Sequence, residues 1–168
     1  NLSLWSADVI RFEGDVSLQL NQSLALRRGV IAVADATPGA HVSLSAPVVR
    51  LDGSVARGTS GLEGLHPGLR NVKAGAWQPA ATANAATLAV EADLIDIGNW
   101  VAFGVTDSYD IAFLTEWSFE TITRPFEAPG FADIRLSSRG DIRLRGGSIG
   151  TAGNMTLTAS RIYPATGA

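Results

Sequence analysis

The chain of 168 residues contains no cysteine, which removes disulfide frameworks, thiolate metal sites and cysteine nucleophiles together, without fixing the redox compartment. Its single lysine, Lys73, leaves no place for a phosphate-cradling glycine loop with its lysine. The two histidines, His41 opening a strand pattern and His66 in a His-Pro-Gly turn, are too far apart in sequence to suggest a metal site or a nucleophile and its base. Gly58-Thr-Ser60-Gly-Leu62 lacks the closing glycine of a nucleophile elbow. Charge is also sparse: 17% of residues are charged, and 13 basic against 16 acidic side chains give a net charge of -3. Without the basic excess that neutralises a phosphate backbone, nucleic acid is excluded as the expected partner. The longest apolar runs, such as Gly29 to Ala34, fall far short of the ~20 residues that span a bilayer, so no membrane span is predicted. The segment Asn1 to Trp5 has no initiator methionine, basic region or apolar leader and starts inside an alternating pattern, so the chain reads as a fragment.

Apolar residues make up 46% of the chain, enough for a packed interior and too many for a disordered segment. They alternate with polar ones at period two in Val16-Ser-Leu18-Gln-Leu20, Ile134-Arg-Leu136 and Ile142-Arg-Leu144. That is strand periodicity. Nowhere do they recur at helical spacing over three turns, which excludes the crossover helices of an ordinary α/β sheet.

The alternation is organised as a repeat. Val42-Ser-Leu-Ser-Ala-Pro-Val-Val-Arg-Leu-Asp-Gly53 matches Leu88 to Gly98 at its apolar positions, and Met155 to Pro164 repeats its first half. Looser copies run from Leu4 to Gly14, Val16 to Gly29 and Ile134 to Gly146. Each unit reads strand, bend, strand, turn, and usually closes on a glycine. Val42, Leu88 and Met155 form one column of like residues, and Leu44, Val90 and Leu157 another; Arg11 and Arg50 fall in the column of Asp96. Stacked windings favour like residues at like positions, whereas a sandwich does not. Asp52-Gly53 is the only Asp-Gly or Asn-Gly dipeptide, so hairpin signals are scarce. The fold class predicted is therefore all-β, a parallel β-helix, with an antiparallel β-sandwich as the alternative.

Two stretches interrupt the repeat of this single segment, 1–168. Ser54 to Ala86, punctuated by glycine and proline, is predicted to be a long loop insertion. Asn99 to Phe131 is an aromatic-rich insertion with strands expected at Val101 to Val105 and Ile111 to Phe113. The remaining residues suffice for five or six windings at ~4.8 Å each, a rod on the order of 25 to 30 Å long.

Gly130-Phe-Ala-Asp-Ile-Arg-Leu-Ser-Ser-Arg-Gly-Asp-Ile-Arg-Leu144 and Gly153-Asn-Met-Thr-Leu-Thr-Ala-Ser-Arg-Ile-Tyr-Pro-Ala-Thr-Gly167 resemble segments of the filamentous-haemagglutinin family. Val42 to Leu51 and Ala92 to Asn99 are similar to further segments, so the likeness covers most of the chain outside 54–86. The resemblance implies a right-handed parallel β-helix of a large exoprotein of Gram-negative bacteria, secreted to the cell surface by two-partner secretion. It implies an outer-membrane transporter partner, a host or bacterial surface receptor or glycan, and a part in attachment, biofilm or contact-dependent competition as a virulence adhesin. In such proteins most of the rod is scaffold. The aromatic insertion departs from the pattern.

No catalytic, metal-binding or cofactor-binding residue is assigned, no cofactor is expected, and the chain is read as no enzyme. The enzyme alternative, a β-helix polysaccharide lyase or hydrolase, requires clustered carboxylates. Asp93, Asp96, Asp107 and Asp110 are its candidates, though Asp93 and Asp96 fit a solvated strand face. Arg135, Arg143 and Arg145 alternate with apolar residues and are expected to pair with acids on exposed faces. Arg139-Gly140-Asp141 spells an attachment tripeptide, but a bend into a strand explains it. For the third reading, a glycan-binding module, the candidate binding surface is Trp100, Tyr109 and Trp117, chosen because aromatic rings concentrate in that insertion.

Overall fold

The computed structural model describes residues 1–6, 9–27, 30–34, 39–53, 78–79, 83–114 and 119–165. Among these residues there is no helix. The short alternating runs form β1 (Leu2–Trp5), β2 (Val9–Phe12), β3 (Val16–Gln19), β4 (Ser23–Arg27), β5 (Val30–Val33), β6 (His41–Ser45) and β7 (Val48–Asp52). They continue as β8 (Gln78–Pro79), β9 (Ala83–Phe103), β10 (Val105–Leu114), β11 (Phe119–Ala128), β12 (Gly130–Thr151), β13 (Asn154–Thr158) and β14 (Arg161–Pro164). Eleven strands belong to one sheet and three, in the order β11-β10-β8, to another. Every described pairing in the large sheet is parallel. Antiparallel pairing is confined to the small sheet, which argues against the sandwich alternative.

The parallel pairings sort into three stacks that the chain visits in rotation. The first runs β3, β6, residues 87–91 of β9, residues 133–137 of β12, then β13. The second runs β1, β4, β7, residues 94–98 of β9, residues 141–145 of β12, then β14. The third joins β2 to β5, β5 to β9 at Ile31 and Phe103, and residues 100–103 of β9 to residues 148–151 of β12. Such connectivity is compatible with a β-helix or solenoid.

In-register stacking turns the period-two pattern into ladders. Val16, Val42, Leu88, Ile134 and Met155 align across the first stack. Leu24, Val49, Ile95 and Ile142 align across the second, and all four are fully buried. Removing each such side chain from water stabilises the fold by roughly 1.5–3 kcal/mol. At the outermost strands the same positions, Leu2, Val16, Met155 and Leu157, are only half-buried, because one side of each lacks a neighbouring strand among the described residues.

The expected columns are observed, with Ile134 and Leu136 added between β9 and β13. The copy from Leu4 to Gly14 is out of phase: Leu4 pairs with Leu26 in the second stack, while Arg11 pairs with Ala32 in the third. Arg50 does lie beside Asp96, but Arg11 does not share their column. Alternation looks alike on every side of the molecule, so a sequence template cannot distinguish them.

Of the predicted loop 54–86, residues 54–77 and 80–82 lie outside the described residues. Its end is strand: β9 opens at Ala83, and Ala86 is buried. In the aromatic insertion, Asn99 to Phe103 continues β9, and Gly130 and Phe131 open β12. The part that leaves the large sheet is the antiparallel pair β10 and β11. Both its ends are tied to β5, since Gly104 N donates to Ile31 O at 2.9 Å and Val33 N donates to Pro129 O at 3.0 Å. Ala128 at the end of β11 joins Val30, Ala32 and Ala102 in a small buried apolar cluster separate from the main core.

Candidate functional site

On the second stack the polar half of the alternation builds a charged ladder. Ala25, Arg50, Asp96, Arg143 and Tyr163 occupy one register column. Asp96, expected on a solvated face, is only 4% exposed. The correction has a plain cause: two arginines from the next strand fold over it. Arg145 Nε donates to Asp96 Oδ1 at 2.8 Å, and an Arg143 guanidinium nitrogen lies 3.6 Å from Oδ2. Gly98, which lies between Asp52 and Arg145 in one register column, leaves the room this needs; a Cβ there would stand 3.0 Å from the Arg145 guanidinium and 3.1 Å from Asp52 Oδ1. Asn99, in the left-handed region at φ 59°, donates from Nδ2 to Asp52 Oδ1 at 2.6 Å. Arg143 Nε is buried without a hydrogen-bond partner.

A second acid–base group lies one strand further along. Asp141 accepts from Arg161 Nε and a terminal guanidinium nitrogen, each at 2.9 Å, and from Tyr163 Oη at 3.2 Å. The Arg161 hydrogen bond holds the Asp141 carboxyl below its ordinary value against the opposing effect of desolvation, with Tyr163 assisting. The same pairing raises Arg161.

The attachment tripeptide is taken up by this arrangement. Between Ser138 and Asp141 the register of β12 on β9 shifts, so Arg139 and Gly140 together oppose Asp93. A side chain at Gly140 would overlap the Asp93 carbonyl oxygen. Arg139 pairs with Asp93 at 2.6 Å, and Asp141 is held by Arg161. The enzyme candidates are divided: Asp93 and Asp96 lie on the large sheet and are committed to arginines, whereas Asp107 and Asp110 lie on β10 of the small sheet. His41 is also engaged, its N–H bonded to Asp15 Oδ1 at 2.8 Å and its Nδ1 lying 2.9 Å from Thr87 Oγ1.

The three candidate aromatics have different surroundings. Trp100 is half-buried at the end of β9 and packs against the cluster of Val30, Ala32, Ala102 and Ala128. Tyr109 is on β10, in register with Arg124 of β11. Trp117 lies outside the described residues.

A feature the sequence reading passed over lies at the corner between the first and second stacks. Gln19, Ser45, Glu91 and Ser137 share one register position across the four stacked strands β3, β6, β9 and β12. Beside them the chain turns through Leu20, Ala46, Ala92 and Ser138, and a groove of about 520 Å³ follows this corner. Ser138 is spent inward, its Oγ donating to Asp93 O at 2.8 Å and accepting from Gly140 N at 3.2 Å. The signal was present: aligning Ala46 with Ala92 places Ser45 over Glu91.

Among the described residues no group of three or more His, Asp or Glu side chains could hold a metal ion, and no helix is long and apolar enough to cross a membrane. No protein-family model, curated protein or solved structure matches the chain.

Proposed function

We propose that the chain is a scaffold segment of a right-handed parallel β-helix, part of a secreted adhesin resembling the filamentous haemagglutinins. In this reading an outer-membrane transporter passes the unfolded chain to the surface of a Gram-negative cell. There it serves attachment, biofilm or contact-dependent competition by holding a binding or toxic region away from the membrane. The observation that supports it best is the set of in-register parallel ladders. Load along the stacks falls on many backbone hydrogen bonds at once, and apolar columns keep the strands from sliding past one another. A cysteine-free composition suits export as an open chain, since no disulfide can form on the way.

Two measurements test it. Ser43 and Ala89 are register partners with outward side chains. The double variant Ser43→Cys, Ala89→Cys is expected to cross-link on oxidation without loss of structure, whereas failure to cross-link would remove the stacked winding. Fused behind the secretion domain of such an exoprotein and expressed with its transporter, the chain is expected on the surface of intact cells. Retention inside cells that export the secretion domain alone counts against the export reading. Release of reducing ends from polysaccharide would replace the scaffold role with an enzymatic one.

A further inference from the structure

We infer that the corner groove between the first and second stacks binds an extended, neutral polysaccharide. The inference rests on the strand registers and on the side chains at this corner, and it stands apart from the export and adhesion reading.

Gln19, Ser45, Glu91 and Ser137 recur at the strand spacing, about 4.8 Å, so they form a row of hydrogen-bonding groups along the groove. Gln19 and Glu91 are exposed, and Ser45 and Ser137 half-exposed. None of the four side chains is used in a hydrogen bond or ion pair with another described residue. That sets them apart from the second stack, where Asp96, Asp141, Arg145 and Arg161 are already paired. Ala46 and Ala92 are buried in the core, and the half-buried Pro47 beside them supplies the apolar part of the groove. The volume of about 520 Å³ lies within the roughly 300–1,000 Å³ of sites that enclose small ligands.

Three ligand classes can be weighed against this row. A polyanion needs unspent cations, but Arg139 is paired with Asp93 and Glu91 adds negative charge. A peptide strand needs unpaired backbone groups. Here they are already paired from strand to strand, as in Leu20 N to Ser45 O at 2.8 Å and Ala46 N to Glu91 O at 3.1 Å. A sugar chain presents hydroxyls that both donate and accept, which suits serine hydroxyls, a glutamine amide and a carboxylate. Pyranose rings joined end to end in an extended chain recur at a spacing close to that of stacked strands, so successive rings meet successive layers. The apolar face of a ring can rest on the half-buried Pro47.

Titration calorimetry of the whole chain with cellohexaose and chitohexaose, two neutral β-linked hexasaccharides, is the test, with heparin and an extended decapeptide as comparators. Saturable binding of at least one hexasaccharide is expected, weakened at least tenfold by Glu91→Ala with Ser137→Ala. Arg135→Ala, on the neighbouring outward position of β12, is expected to leave it unchanged. All three positions face outward, and an unchanged unfolding curve shows that the variants fold. No binding of either hexasaccharide at millimolar concentration overturns the inference. So does binding that the double variant leaves intact, or binding of heparin or the peptide alone.

Discussion

Arg145 reaches back 49 positions along the chain to place its Nε 2.8 Å from Asp96 Oδ1. The two sit on adjacent strands because residues 141–145 of β12 lie in parallel register on residues 94–98 of β9. Arg143 closes the other side at 3.6 Å, so one carboxylate is shared by two guanidiniums. Asp96→Asn leaves both cations without their counter-charge. A loss of about 2–3 kcal/mol is expected, below the full cost of breaking a buried pair because both arginines remain partly exposed. Urea unfolding of the variant measures it. A change under 0.5 kcal/mol would show that the pair adds nothing.

The ladders predict a gradient of cost from the middle of the stack to its end. Leu136 is fully buried in β12, whereas Leu157, its register partner in β13, is half-buried. Leu136→Ala should cost about 2–5 kcal/mol, as cavities in well-packed interiors do. Leu157→Ala should cost roughly 1 kcal/mol, in proportion to the smaller apolar area it covers. Equal effects in chemical denaturation would mean that β13 is enclosed by something beyond the described strands.

Two adjacent glycines separate conformation from space. Gly146 and Gly147 both have positive φ, at 73° and 85°. A Cβ at Gly146 meets nothing within 4 Å, while one at Gly147 would overlap the Asn99 carbonyl oxygen. Gly146→Ala should therefore cost only the left-handed penalty of about 1–2 kcal/mol. Gly147→Ala should cost at least ~2 kcal/mol more, because backbone must move to admit it. Thermal melts of both variants, compared side by side, check the order.

Acid should loosen the last strand first. The folded Asp141 carboxyl lies below its ordinary value of 3.8, so its contribution is fully present above that pH and is lost as pH falls through the lower, folded value. β14 is held to β12 by Arg161 and Tyr163 at this carboxylate and by ladder bonds to β12, its one strand partner among the described residues. Protection of the Ile162 and Tyr163 amides, the ratio of intrinsic to observed exchange rate, should fall below about pH 4, near the ordinary carboxylate range. In Asp141→Asn protection should already be reduced at neutral pH and show no further loss in acid. An acid profile shared by wild type and variant would trace the effect to another group.

Much of the fold could be read from residue order. Val42-Ser-Leu44 and Leu88-Ala-Val90 announce strands with one buried side, and their match places them in adjacent layers, as the register of β6 on β9 bears out. The third stack was harder to see. Val30 to Val33 has no alternation, because both sides are covered, one by the core and the other by the cluster that includes Ala128. The Leu4 to Gly14 copy slipped by one side for the same kind of reason, since period two carries no label for which stack a strand joins.

The outer surface was legible only in part. Arginines facing acids were expected from alternation, yet nothing local to Asp96 indicates that it is buried: that follows from arginines 47 and 49 positions later stacking on it, with Gly98 leaving space between them. The groove likewise needs Gln19, Ser45, Glu91 and Ser137 in one row, although the chain separates the last three by 46 residues each. Local alternation and the spacing of like residues settled strand, inward face and layer, but not which stack each strand joins, because both are written in the order of residues along the chain. Which polar groups are paired and which are left free along the corner was decided by stacking, because that depends on neighbours brought together only when the strands are in register.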